Sequence, residues 1–218
     1  MRVDVFVTGG TGYIGQRVIA ALLARGHRVR ALARPQSVGR IPAGAGAVVG
    51  DALDAESFVS ALCAGEAIVH LVGTPHPSPA KAKEFLRVDL PSARAAVDAA
   101  RRAGAAHFVY VSVAHPAPIM RAYIAARSQG EQAIRDARLT ATVLRPWYVL
   151  GPGHRWPLLL VPFYALASFV PAWRDNAQRL GLVTLEQIVA ALVRAVEMPP
   201  TPGTMRIVDV PSIRASCD

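Results

Sequence analysis

The 218 residues suffice for one sizeable core and argue against two independent domains. An apolar fraction of 52% and a mean hydropathy of +0.30 exclude a disordered chain. The formal net charge is +9 and the isoelectric point about 10.5, yet all but two of the 24 cations are arginines, scattered along the chain with no polybasic block. No helix-turn-helix, zinc-finger or RNA-binding signature accompanies them, so a nucleic-acid partner is not expected. Cys63 and Cys217 have neither metal-ligand spacing nor the density of a disulfide framework, and a reducing cytoplasm is the expected location.

In chain order, the opening "MRVDVFVTGG" reads as a folded strand rather than a signal peptide. Val3–Gly9 is the first strand, and Gly12–Arg25 a helix with Ile14, Val18 and Leu22 on one stripe and Gly26 as its stop. Strands are predicted at 28–33 and 46–51, and a helix at 54–65 capped by Asp54. A strand at 67–73 leads to a long alanine-rich helix at 80–103, interrupted at most by Pro91. Strands at 107–113 and 141–146 flank a helix carrying Tyr123. A helix at 185–197 and a strand at 204–210 close the chain. Alternation of near-continuous apolar strands with helices predicts an α/β fold, a doubly wound parallel sheet covered on both faces.

The first strand runs into "TGGTGYIG". Gly9, Gly12 and Gly15 stand at G-x-x-G-x-x-G spacing between a strand and a helix. Glycine there permits the tight turn, close approach of backbone to a pyrophosphate, and close helix–sheet packing; the helix N-terminus offers free N–H groups to phosphate. The candidate cofactor contacts in this turn are Gly9, Thr11, Gly12, Tyr13, Ile14 and Gly15.

With this motif the chain resembles the short-chain dehydrogenase/reductase superfamily, in its atypical and extended branch of NmrA-like and NAD-dependent epimerase/dehydratase proteins. The likeness continues through Gly50–Asp51, "HLVG" at 70–73, "VYVSV" at 109–113, "YIAAR" at 123–127 and "LRPWYVLGPG" at 144–153. It implies a Rossmann fold over 1–218, with 151–183 as a short apolar substrate-side or interface insertion. It also implies that Asp51 contacts the adenine, that Val72 and Gly73 line the cofactor between its two nucleotides, and that Pro146 and the loop after it cover the nicotinamide. An NAD-preferring site usually has an acid at the end of the second strand. Here Ala33 stands there and Arg34 follows, so NADP(H) is preferred over NAD(H). Arg34 as an ordinary surface arginine, or stacked on the adenine, is the competing reading.

In the family, a strand-end serine and a tyrosine polarise a substrate carbonyl, and a lysine four residues after the tyrosine supports it. Ser112 and Tyr123 match; Arg127 replaces the lysine. Arginine keeps the positive charge but is not a neutral relay, and its planar fork does not simply replace a compact ammonium. Glu131, one turn on, is placed to draw the guanidinium away from the tyrosine. Lys81 and Lys83, the only lysines, are distant in sequence. Two function classes follow: an oxidoreductase using Ser112, Tyr123 and Arg127, or a non-catalytic dinucleotide-binding redox sensor or assembly subunit. An isomerase or lyase using transient hydride transfer is a third, weaker reading.

His70, His76, His107, His115 and His154 show no metal-ligand spacing, and no metal is expected. The short chain after Pro146 leaves little material for a sugar-nucleotide pocket, so the expected substrate is a small or hydrophobic carbonyl or quinone. Residues 155–174 hold eighteen uncharged residues between Arg155 and Arg174. Pro157, Pro162 and Pro171 argue against a membrane span. A pocket wall or homodimer contact, or a peripheral membrane contact set by Trp156, Trp173 and the flanking arginines, remain as readings. The membrane reading fits a likeness to the dehydrogenase-like accessory subunit of respiratory complex I.

Overall fold

A computed structural model describes residues 2–117, 119–151 and 181–217. The apolar stretch 155–174, and the readings that rest on it, lie outside the described residues.

Strand β1 (Asp4–Thr8) is apolar on both faces because helices cover both. Val5 and Val7 point to one side and Phe6 to the other, the period-two alternation of a strand. Helix α1 (Tyr13–Ala24) follows the glycine turn and buries Val18, Ile19 and Leu22. Strands β2 (Arg28–Ala33), β3 (Gly46–Val49), β4 (Ala67–His70), β5 (His107–Val111), β6 (Ala141–Leu144) and β9 (Met205–Val208) join β1 in one parallel sheet. Its order is β3-β2-β1-β4-β5-β6-β9. The predicted doubly wound sheet is therefore present. Two further strands, β7 (Tyr148–Leu150) and β8 (Leu182–Thr184), pair in parallel as a separate ribbon.

The core divides by face. Helix α1 and helix α5 (Leu185–Glu197) pack one side through Val18, Leu22, Ile188 and Leu192. The Thr184–Gln187 capping box fixes the start of α5. Helices α3 (Leu90–Ala103) and α4 (Arg121–Asp136) pack the other side through Ala96, Val97, Ala100 and Ile134. A short helix α6 (Val210–Arg214), capped by Asp209, closes the described chain.

Two predicted helices differ. The 54–65 segment forms only two short 3-10 turns, Ala55–Ser57 and Val59–Ala61. The Ser57 hydroxyl bonds back to the carbonyls of Asp51 and Asp54, and such local bonds compete with helix propagation. The long helix at 80–103 is broken into a 3-10 turn (Pro79–Lys81), one turn α2 (Ala82–Glu84), a π turn (Phe85–Asp89) and α3. Pro91, which brings no N–H, sits in the first turn of α3 where none is needed. The wide turn before it directs Asp89 into the protein, where it is 1% exposed.

Candidate functional site

The order of the sheet reverses at β1, between β2 and β4. Open α/β sheets bind ligands in such a crevice, beyond the carboxyl ends of the strands. The glycine turn occupies it. Gly9 has φ +78°, and a Cβ there would lie 2.7 Å from the Leu71 carbonyl carbon. A Cβ on Gly15 would lie 2.3 Å from the Gly9 oxygen, so the helix can pack this tightly only on glycine. Gly12 donates its N–H to Gly9 at 3.0 Å and leads into α1 with no side-chain cap and no acid in the first turn. The N–H groups of that turn and the positive end of the helix dipole are thus left for an anion. These features fit a dinucleotide pyrophosphate.

Two clefts meet at this turn, sharing Gly9, Gly12, Leu71, Gly73, Thr74 and Pro75. The first, about 420 Å³, runs under the ends of β2 and β3. Thr11, Arg34, Asp51 and Val72 line it. Ala33 at the end of β2 is buried, while Arg34 is exposed at the rim beside Ser37, whose N–H donates to the Arg34 carbonyl at 2.8 Å. Asp51 accepts the Leu53 N–H at 3.0 Å, which fixes its carboxylate at the cleft edge.

The second cleft, about 570 Å³, holds the remaining expected residues: Tyr13, Ile14, Gly15, Ser112, Tyr123, Arg127 and Pro146. Its far wall is Trp147 and Tyr148, whose rings meet edge to face at 5.4 Å. Tyr13 reaches across to this wall: a Cβ on Gly151, at the end of β7, would lie 1.9 Å from the Tyr13 hydroxyl. All the candidate residues therefore line one continuous crevice.

Tyr123 and Arg127 do share a helix face, with the guanidinium carbon 5.2 Å from the ring centroid. The Tyr123 ring also meets Phe85, with centroids 4.9 Å apart and the planes tilted by 52°. Glu131 does not draw the guanidinium away. Asp89 holds it instead: Arg127 Nη2 donates to Asp89 Oδ1 at 2.8 Å, and Nη1 donates to the carbonyls of Val111 (3.1 Å) and Val72 (3.4 Å). Both partners are buried, at 5% and 1% exposure. Burial alone would lower the pKa of Arg127; Tyr123, Tyr110 and Asp89 together outweigh it and raise the value. Asp89 also accepts the N–H and hydroxyl of Thr74, at 3.0 and 2.6 Å. A Cβ on Gly73 would strike Arg127 Nη2 at 2.1 Å, so this glycine makes room for the guanidinium.

Glu131 has a separate task. It accepts the Ser112 hydroxyl at 2.6 Å and both arms of Arg145, Nε at 3.0 Å and Nη2 at 2.6 Å. Ser112 is 2% exposed, and its hydrogen is committed to this carboxylate. Burial pushes up the hydroxyl of Tyr110, with Arg127 in partial opposition.

Ser37 in the lining of the first cleft, Asp89 as the partner of Arg127 and Arg145 as the partner of Glu131 are not among the expected residues. An aspartate between apolar residues, two positions before a helix-opening proline in "RVDLPSA", is the available signal for Asp89. His70 is buried against Thr8, with ring Nδ1 and hydroxyl 2.7 Å apart, and His107 lies 3.0 Å from the Thr142 hydroxyl. His115 sits with Nδ1 2.9 Å from the Val113 carbonyl. No group of metal-binding side chains exists among the described residues. No helix among them is long and apolar enough to cross a membrane.

Residues 9–154 match the model of the NAD(P)H-binding family. Over 210 residues the chain is 32% identical to a ceramide reductase of Caulobacter vibrioides, covering 94% of this chain and 64% of that protein. It is 31% identical to a 3-diazoavenalumate denitrifying reductase of a Streptomyces species, covering 94% and 75%. Among solved structures, a short-chain dehydrogenase/reductase superfamily protein from Agrobacterium tumefaciens with bound NAD superposes with a TM-score of 0.67 at 20% identity. That match covers 97% of this chain and 81% of the other, and it shows the fold. With the glycine turn, the switch-point crevice and these matches together, the chain belongs to the NAD(P)H-binding family.

Proposed function

We propose that this protein is an NADP(H)-dependent reductase of a hydrophobic carbonyl or quinone. The observation that carries the reading is the single crevice running from Arg34, across the glycine turn, to Tyr123. The first-turn N–H groups of α1 hold the pyrophosphate. Arg34 and Ser37, with no acid at the end of β2, suit a ribose 2′-phosphate better than a free hydroxyl. When bound, a reduced nicotinamide supplies hydride to the substrate. Tyr123 donates a proton from its hydroxyl to the substrate oxygen, its ring in contact with Phe85 and the Arg127 guanidinium. Asp89 positions Arg127 for that task. The aromatic wall of Trp147 and Tyr148 favours an apolar substrate.

Titration calorimetry and a carbonyl-and-quinone turnover screen test this reading together. NADPH binds at least tenfold more tightly than NADH, and Tyr123→Phe lowers turnover by a hundredfold or more with NADPH affinity held within twofold. Absence of nucleotide binding at millimolar concentration, or turnover indifferent to Tyr123→Phe, overturns it.

A second reading, a non-catalytic dinucleotide-binding protein, draws on one observation. The Ser112 hydrogen and the Arg127 guanidinium are both committed to buried carboxylates. Nucleotide binding without turnover anywhere in the screen would select it.

A further inference from the structure

Ser112 faces the second cleft with its hydrogen already given away. Its acceptor, Glu131, is 1% exposed and held by two bonds from Arg145, so the carboxylate cannot turn aside to release the hydroxyl without breaking a buried charge network. Arg127 is likewise engaged, with Asp89 and two backbone carbonyls. Of the three polar groups that the family resemblance sets around a substrate oxygen, Tyr123 alone makes no such hydrogen bond among the described residues. A simple ketone or aldehyde concentrates developing negative charge on one oxygen, and losing one donor there costs about a hundredfold to a thousandfold in rate. An acceptor that spreads the charge through its own conjugation needs that donor far less.

We propose that the substrate class reduced at this site is the quinone, in preference to an unconjugated or singly conjugated ketone. The inference rests on the reductase reading above and narrows it. The second cleft suits such a planar ring: Tyr13, Trp147 and Tyr148 line it together with Pro75 and Pro146. The step balances as a two-electron reduction. A C–H bond of a reduced nicotinamide dinucleotide breaks and its hydrogen leaves with both electrons for the quinone. The nicotinamide is oxidised and the quinone becomes a hydroquinone anion. Tyr123 gives that anion its proton, completing the second O–H bond of the hydroquinone, and solvent returns the proton to the tyrosine.

The test compares menadione with 1-tetralone, a fused bicyclic ketone of similar size, using NADPH and subtracting the uncatalysed rate. NADPH affinity is measured on the same preparation by calorimetry. The expected result is NADPH binding with kcat/KM for menadione at least a hundredfold above that for tetralone. That ratio stays within threefold in Ser112→Ala, because the hydroxyl serves Glu131 and not the substrate. NADPH binding with tetralone reduced as well as menadione overturns the inference and leaves the reductase reading standing. So does a Ser112→Ala variant that loses tetralone reduction a hundredfold more than menadione reduction. NADPH binding with neither substrate turned over overturns the inference and selects the non-catalytic reading. No NADPH binding overturns the dinucleotide reading itself, and the inference with it.

Discussion

Arg127 and Asp89 meet at 2.8 Å inside the protein, joining α4 to the π turn before α3 directly beneath the crevice. The Arg127 guanidinium is therefore matched by a buried countercharge. Removing one partner of such a pair typically costs about 3–5 kcal/mol, since the other charge is left without compensation. Asp89→Ala should lose stability of that order in urea unfolding, and Arg127→Met likewise. The double variant Asp89→Leu with Arg127→Met should recover most of the loss. Strictly additive losses would show that the two charges are not coupled.

The glycine turn separates two kinds of requirement. A side chain at Gly15 collides with backbone at 2.3 Å, so Gly15→Ala should destabilise the fold by about 1–3 kcal/mol. A Cβ at Gly12 meets only the Gly9 oxygen, at 3.2 Å. Gly12→Val should keep a cooperative thermal transition and lose NADPH-induced stabilisation, because its branches stand where the pyrophosphate approaches. A Gly12→Val protein that is stabilised by NADPH as much as the wild type would contradict this placement.

Arg34 stands at the rim of the first cleft with no carboxylate at the end of β2. Hydrogen bonds to charged groups contribute about 1.5–3 kcal/mol. Arg34→Ala should weaken NADPH binding by about tenfold to a hundredfold and change NADH binding by less than twofold. Equal losses for the two nucleotides in calorimetry would mean that the side chain does not discriminate the 2′ position.

Two buried histidines set an acid limit. Burial, reinforced by Arg127, holds His70 down at about 3, and burial with Arg206 holds His107 at about 4. Both are neutral in the native state, whereas the unfolded chain takes up their protons near 6.5. Their contribution is complete above that value and declines as pH falls through the window from about 6.5 toward the folded values. For His70 the loss reaches about 2–3 kcal/mol by about pH 4.5. Urea midpoints measured between pH 7.5 and 4.5 should fall accordingly, with a shallower fall in His70→Gln. A midpoint flat across that range would contradict the burial of the neutral ring.

The alternating strands and the glycine turn were legible in the sequence because each rests on a local pattern. β-branched runs predict β1 and β4, and G-x-x-G-x-x-G between a strand and a helix predicts the phosphate turn. What the sequence did not disclose is which charge pairs with which. Helical spacing put Glu131 near Arg127, but Glu131 turns to Ser112 and Arg145, and the partner of Arg127 comes from Asp89, 38 residues away. That pairing depends on one extra residue in a helical turn, which no periodicity encodes. The 54–65 segment failed for a related reason: Ser57 finds nearer acceptors than the helix would offer.

Tyr13 belongs to two neighbourhoods at once. Its backbone opens α1 in the phosphate turn, and its hydroxyl abuts Gly151 at the end of β7. Anyone reshaping the aromatic wall by mutagenesis will therefore meet an unplanned correlation. Libraries at positions 147–151 should return clones whose nucleotide affinity has drifted along with substrate choice. Bulk introduced at Gly151 displaces Tyr13, and Tyr13 carries the first turn of α1 with it.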